Sequence, residues 1–225
     1  NSKLGIIGAP IPPFYSLSME DNPMNQMKRA KNWSNSKFNN KEINSPYFNQ
    51  IRNKKIKIGY FSSDFHDHAI MFLISGHLRS HDTNKFEIFI FSFGNSPKSN
   101  LFNDLKKEKN FCFTDISQMS DDDAIKFISA KKLDFAIDLN GFTAKSRTEI
   151  FSARIAPVQI NYLGYPGTMG SSFIDYIVAD KVLIDNETRK NYLEKVIFMP
   201  NTYQPNDNQR LISKNKTSKQ DHNLP

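Results

Sequence analysis

The chain has 225 residues, a formal net charge of +7, 38% hydrophobic residues and 12% aromatics, among them 19 Phe. That is apolar material enough for one sizeable α/β domain, or a domain with an appendage. The positive charge is dispersed over Lys28, Arg29 and Lys31, then Lys54, Lys55 and Lys57, then Lys214, Lys216 and Lys219. No arginine-rich stripe interleaved with aromatics stands out, so a nucleic-acid partner is not indicated. The single Cys112, within Phe111-Cys-Phe113, excludes an internal disulfide and a cysteine metal cluster and is expected in the core. No apolar run approaches 18 residues and no signal-peptide pattern is present, so no membrane partner and a cytoplasmic location are expected. A start at Asn1 and a polar end lead us to expect a piece of a larger protein.

Residues 1–54 read as a helix and linker ahead of the main body. Gly8-Ala-Pro-Ile-Pro-Pro13 is turn-rich, and Glu20-Asp-Asn-Pro23 opens a helix over about 22–35. The Asn-, Lys- and Ser-rich stretch from Asn35 to Asn53 reads as a linker. The body, 55–206, alternates strands and helices. Strands are predicted over 56–61, 86–93, 111–116, 133–139, 158–163, 175–179 and 196–199. Helices are predicted over 69–80, 101–107, from Ser120-Asp-Asp-Asp123 onward, over 146–153, and over 186–193 behind Asp185. Strands that are continuously apolar, interleaved with helices, indicate a Rossmann-like parallel sheet with helices on both faces. The polar tail, 207–225, shows no period and is expected to be disordered or the truncated start of a further lobe.

Ligands of such sheets sit beyond the carboxyl ends of the strands. Those ends lead into Ser62-Ser-Asp-Phe-His-Asp-His68, Asn140-Gly-Phe-Thr143, Gly164-Tyr-Pro-Gly-Thr-Met-Gly170 and Pro200-Asn-Thr-Tyr203. His68 opens the buried helix, whose positive end disfavours imidazolium; a neutral ring there suits a base, a hydroxyl contact or a cap. Asp64, with His66 and His68, is as readily a turn residue as a metal ligand, and the metal reading is weak. His77 and His81 are read as surface or cap residues. Arg147 suits an anion, Glu149 or the loop carbonyls alike. Asn140-Gly141 reads as a turn needing positive φ with Asn140 open to a ligand, and Thr168 with the amides near Gly167 and Gly170 could hold a hydroxyl-rich or phosphate ligand. The glycine spacing matches neither G-x-G-x-x-G nor a P-loop, which disfavours a nicotinamide or ATP site.

Four ordered segments, Pro13-Phe-Tyr-Ser-Leu-Ser-Met-Glu-Asp-Asn-Pro23, Gly59-Tyr-Phe-Ser-Ser-Asp-Phe-His-Asp-His68, Asp138-Leu-Asn-Gly-Phe-Thr143 and Ala156-Pro-Val-Gln-Ile-Asn-Tyr-Leu-Gly-Tyr-Pro-Gly-Thr-Met-Gly170, resemble a known family. They are similar to the amino-terminal catalytic lobe of the O-linked N-acetylglucosamine transferases, glycosyltransferase family 41, especially its bacterial members. Asp175–Asp180, Tyr192–Lys195 and Met199–Tyr203 continue the likeness, which covers roughly residues 10–207.

The resemblance implies a GT-B fold, in which two Rossmann-like lobes face a cleft. It implies inverting transfer of a sugar from a UDP-sugar to Ser or Thr of a protein, with no cofactor and no essential metal. His68 aligns with the family's active-site histidine, as base or as positioning group. Substrate contacts are expected from Asp64, Asn140, Gly141, Thr143, Tyr165, Pro166, Gly167, Thr168 and Gly170. A second histidine discussed in some members falls near Ser129 and is not carried over. Expected partners are the UDP-sugar, a protein or peptide acceptor, a carboxyl-terminal lobe and tetratricopeptide repeats. The 225 residues alone are expected to be inactive. The alternatives are a member using another nucleotide sugar, such as one carrying fucose, or a non-catalytic binding or scaffold module.

Overall fold

A computed structural model describes residues 3–38, 55–94, 100–210 and 214–225. Seven parallel strands form one sheet: β1 (Ile56–Ser62), β2 (Phe86–Ser92), β3 (Phe111–Asp115), β4 (Phe135–Asp138), β5 (Val158–Asn161), β6 (Tyr176–Ala179) and β7 (Lys195–Phe198). Their order is β3-β2-β1-β4-β5-β6-β7. The chain winds outward from β1 to one edge, then returns to β4 on the other side of β1. Between β1 and β4 the connections diverge, which opens a crevice at the carboxyl ends of those two strands.

Six α-helices accompany the sheet in the described residues: α1 (Pro13–Ser16), α2 (Pro23–Lys37), α3 (Ala69–Arg79), α4 (Asn100–Lys107), α5 (Asp121–Ser129) and α6 (Thr148–Ser152). On one face Phe61, Phe89 and Phe91 pack with Ile128 of α5, Ile150 and Phe151 of α6, and Ala30 of α2. The Phe61 ring stacks on Phe91 at 4.6 Å and meets Phe151 edge-on at 5.1 Å. On the other face Ile58, Tyr60, Ile88 and Ile90 pack with Ile70, Met71, Ile74 and Leu78 of α3 and with Phe102 and Leu105 of α4. Burial from both sides is why β1 and β2 read as unbroken apolar runs.

Several elements depart from expectation. The amino-terminal helix is part of the lobe rather than ahead of it: Ala30 is fully buried in the core, and Gly170 has no room for a Cβ against the Ala30–Lys31 backbone. Asn22 caps α2 by accepting from Asn25 N at 3.1 Å, and Pro23 fills the first turn, so the sequence signal was sound there. The linker expected over 35–53 lies outside the described residues beyond Phe38. The helix expected over 186–193 is a single 3-10 turn, Thr188–Asn191. Asp185 does receive Thr188 N at 2.7 Å, but Glu194, three residues beyond the turn, is drawn into the interior and leaves no length for more. β5 stops at Asn161, because Leu163 turns to φ +76.

Cys112 is exposed, since β3 is an edge strand whose Phe111 and Phe113 face the core while Cys112 points the other way. His77 and His81 are not surface caps: both Nε2 atoms meet the buried Tyr60 hydroxyl, at 3.0 and 2.8 Å. Burial lowers both imidazoles, His81 to about 4. The chain stays against the domain as far as Arg210. Tyr203 N donates to Asp180 at 2.9 Å, Asp207 rests against Gly76 of α3, and the Arg210 guanidinium lies 4.4 Å above the Phe72 ring. Gly76, with no side chain, is what lets that segment lie close.

Replacing Phe61 by Ala removes the ring shared by β1, β2 and α6. The unfolding free energy should fall by about 3–5 kcal/mol, read from urea midpoints at unchanged slope.

Candidate functional site

β1, β4 and β5 are neighbours, so the loops that follow them emerge side by side. Asn140, buried at the end of β4, joins the first two. Its Oδ1 accepts from Ser62 Oγ at 3.0 Å and Ser63 N at 2.9 Å. Its Nδ2 donates to Ser63 Oγ and Asp64 Oδ2, both at 2.9 Å, and to Thr143 Oγ1 at 3.1 Å. Asn140 N and Gly141 N in turn donate to Asp138 Oδ1 at 2.9 and 3.0 Å, a turn that places Gly141 at φ +56. A Cβ on Gly141 would lie 2.6 Å from Tyr165 Cβ, so glycine is needed both for the turn and for the approach of the third loop.

That third loop, Gly164–Gly170, is held from both sides. Asn161 Nδ2 donates to Tyr165 O at 2.9 Å and Gly167 O at 3.3 Å. From behind, the carboxylate of Glu194 accepts from Thr168 Oγ1 at 2.6 Å and from Met169 N at 2.5 Å. Glu194 is 4% exposed and has no basic partner in those contacts, and burial pushes its carboxyl up. Tyr192 Oη donates to Pro166 O at 3.0 Å. The Tyr165 ring is buried 5.5 Å from Phe142, and burial drives its phenol far above its ordinary value. Gly164 passes against the Leu139 carbonyl, where any side chain would collide.

The predicted residues therefore divide. Asn140, Gly141, Tyr165, Gly167, Thr168 and Gly170 are all buried, and the polar groups of Asn140 and Thr168 are engaged within the protein. Thr143 and Pro166 are half-buried at the rim, as is Asp64, which also accepts from Ser63 Oγ at 2.9 Å and lies 3.8 Å from His66 Nε2. His68 is exposed, its ring 5.5 Å from that of His66. As N-cap of α3, His68 accepts Ile70 N on Nδ1 at 3.2 Å. A backbone N–H can only donate, so the neutral ring carries its hydrogen on Nε2, directed away from the helix. Arg147 is engaged elsewhere, by Asp121 and the carbonyls of Ile116 and Met119. Among the described residues no three His, Cys, Asp or Glu side chains gather as a metal shell, and no helix is long and apolar enough to cross a membrane.

Ser62, Ser63, Asp138, Asn161 and Glu194 were not anticipated as site residues. The signal available for Asn161 and Asp138 was a polar residue closing an apolar strand. For Glu194 there was none, because it falls between the predicted helix, 186–193, and the predicted last strand, 196–199. Asn140→Ala strands the Ser63 amide and frees two loops from one another. It should cost about 2–4 kcal/mol in urea unfolding; a change within experimental error would mean that the loops are held apart from Asn140.

The profile of glycosyl transferase family 41 matches residues 36–222. A probable UDP-N-acetylglucosamine–peptide N-acetylglucosaminyltransferase, SEC, of Arabidopsis thaliana is 34% identical over 76% of this chain and 18% of its own length. The Caenorhabditis elegans UDP-N-acetylglucosamine–peptide N-acetylglucosaminyltransferase is 32% identical over 76% of this chain and 15% of its own. The chain thus spans less than a fifth of these relatives. A mutant O-GlcNAc transferase of Thermobaculum terrenum superposes with a TM-score of 0.76 at 20% identity, over 85% of this chain and 37% of that one, a likeness of fold. With most of its length matched by the family profile, the chain belongs to glycosyl transferase family 41.

Proposed function

We propose that the chain is the acceptor-side lobe of a protein O-glycosyltransferase, which moves a sugar from a UDP-sugar to a Ser or Thr hydroxyl. One observation carries the reading: the loop after β1, which Asn140 ties to the turn after β4, ends in an exposed imidazole, His68. The printed names of the relatives support UDP-N-acetylglucosamine as donor and peptides as acceptors. In this reading a second GT-B lobe, which binds the nucleotide, and a tetratricopeptide array belong to the complete protein, and the lobe alone is inactive.

Inverting transfer needs the acceptor oxygen in line with the bond to the departing diphosphate, on the far face of the sugar. His68 serves here as a positioning donor: with Nδ1 engaged by the Ile70 amide, Nε2–H is the group it offers to an acceptor or sugar oxygen, and the hydroxyl proton passes to the departing diphosphate. Thr143, whose oxygen already accepts from Asn140, has its own hydrogen to give. Asp64, Asn140, Gly141, Tyr165, Gly167, Thr168 and Gly170 then act from behind, fixing where these donors stand.

The test is turnover in the complete protein with UDP-N-acetylglucosamine, other nucleotide sugars and a protein acceptor. His68→Ala should lower kcat on the order of 10²-fold or more. His68→Asn, which keeps the helix cap but lacks the ring, should retain the melting temperature and share that loss. Wild-type rates in both would reduce His68 to a cap, and absence of transfer from every donor would favour a binding module.

A further inference from the structure

Asp138 and Asn161 face each other across β4 and β5. They are register partners at the carboxyl ends of adjacent parallel strands, so their side chains leave the same face of the sheet. Both are buried, Asp138 at 2% exposure and Asn161 at 0%. Asp138 has one carboxyl oxygen satisfied and one left over, and Asn161 has its nitrogen engaged and its single oxygen left over. Asp138 Oδ1 accepts the Asn140 and Gly141 amides, which leaves Oδ2 with no donor. Asn161 Nδ2 donates to the carbonyls of Tyr165 and Gly167. Those carbonyls fix which end of the amide is nitrogen, so Oδ1 is turned the other way, also with no donor. Gly141 lies against both: its amide is bonded to Asp138, and a Cβ on it would stand 3.1 Å from Asn161 Oδ1.

Two buried acceptors side by side repel and are costly to leave unpaired. One proton resolves both. We propose that Asp138 is a neutral acid whose Oδ2–H donates to Asn161 Oδ1, clasping the turn after β4 to the loop after β5. Asp138 is then a positioning residue: it touches no substrate and sets the spacing between Thr143 and Pro166 on the rim.

The surroundings agree. Burial raises the Asp138 carboxyl to about 6, and the two amide donors oppose that rise only in part. The ionisable groups of the adjoining loops are Asp64, bonded to Asn140, with His66 beside it, and Tyr165 against Gly141, while Tyr192 and Glu194 hold the far side of the loop after β5. No cation among them bonds Asp138, whose hydrogen-bond partners are backbone amides. The sign of the linkage follows. A carboxyl raised in the folded state favours folding most below its unfolded value, about 4, and that contribution disappears as pH rises through about 6. The clasp is closed in mild acid and loosens as pH rises through about 6.

Asp138→Asn replaces the acid by an amide that donates at every pH. In the full chain, the unfolding equilibrium of the wild type relative to Asp138→Asn should shift on the order of 10²-fold toward unfolding between pH 4 and 7. A ratio that does not change with pH would overturn the proposal. If Asp138→Asn does not fold, aspartate 13Cγ NMR of the wild type decides. One aspartate should titrate near pH 6, and its midpoint should fall in Asn161→Ala, which lacks the acceptor. A midpoint unmoved by Asn161→Ala, or no aspartate titrating above the ordinary carboxylate range, would refute the shared proton. These readouts do not involve sugar transfer, so they stand or fall apart from the proposed function. In the complete protein, wild-type kcat should decline above pH 6 relative to Asp138→Asn while KM for the donor holds.

Discussion

The candidate site depends on the side chain of Asn140. Its Oδ1 accepts from Ser62 and Ser63 and the two hydrogens of its Nδ2 are shared among Ser63, Asp64 and Thr143, which ties the loop after β1 to the turn after β4. Without that amide the two loops would leave adjacent strands as independent segments, each free to move. With it, a change in the position of Thr143 is a change in the position of Asp64, and by way of Asp64 and His66 of the mouth of α3. The interaction is strong because its inner half is dry: the bonds to Ser62 and Ser63 are buried, and only those to Asp64 and Thr143 reach the half-buried rim.

The third loop is joined to this unit by different means. Gly141 and Tyr165 approach so closely that a single extra carbon would separate them. Behind that contact, Glu194 gathers Thr168 and Met169, and Asn161 holds the Tyr165 and Gly167 carbonyls. Much of the polar machinery therefore faces inward. A rigid inner layer supports a thin outer one consisting of His68, Thr143 and Pro166, the arrangement expected where geometry must be held while partners come and go.

The sequence carried the sheet well, because its strands are buried on both faces and its helices open with recognisable caps at Asn22 and Ser120. It also carried the location of the rim, since Gly141 and the Gly164–Gly170 loop mark where backbone must approach backbone. It carried the direction of side chains poorly. Asn140 and Thr168 look like ligand-binding groups in a string of letters, because nothing in the string says that Ser63, Asp64 and Glu194 already occupy them. Cys112 was misplaced for a related reason: strand β3 is at the edge, and one residue of alternation decides which side of it meets solvent. His77 and His81 needed Tyr60, more than a dozen residues earlier, before their position made sense. Contacts between distant residues are what local pattern cannot supply.

If the rim is where sugar transfer takes place, an acceptor must bring its hydroxyl to the outward nitrogen of His68. The decisive measurement is the structure of the complete protein with UDP and a Ser-containing peptide. The account predicts the serine oxygen within about 3.2 Å of His68 Nε2, or one water away, with the peptide crossing Thr143 and Pro166. A peptide seated elsewhere, with His68 touching only its own helix, would contradict it.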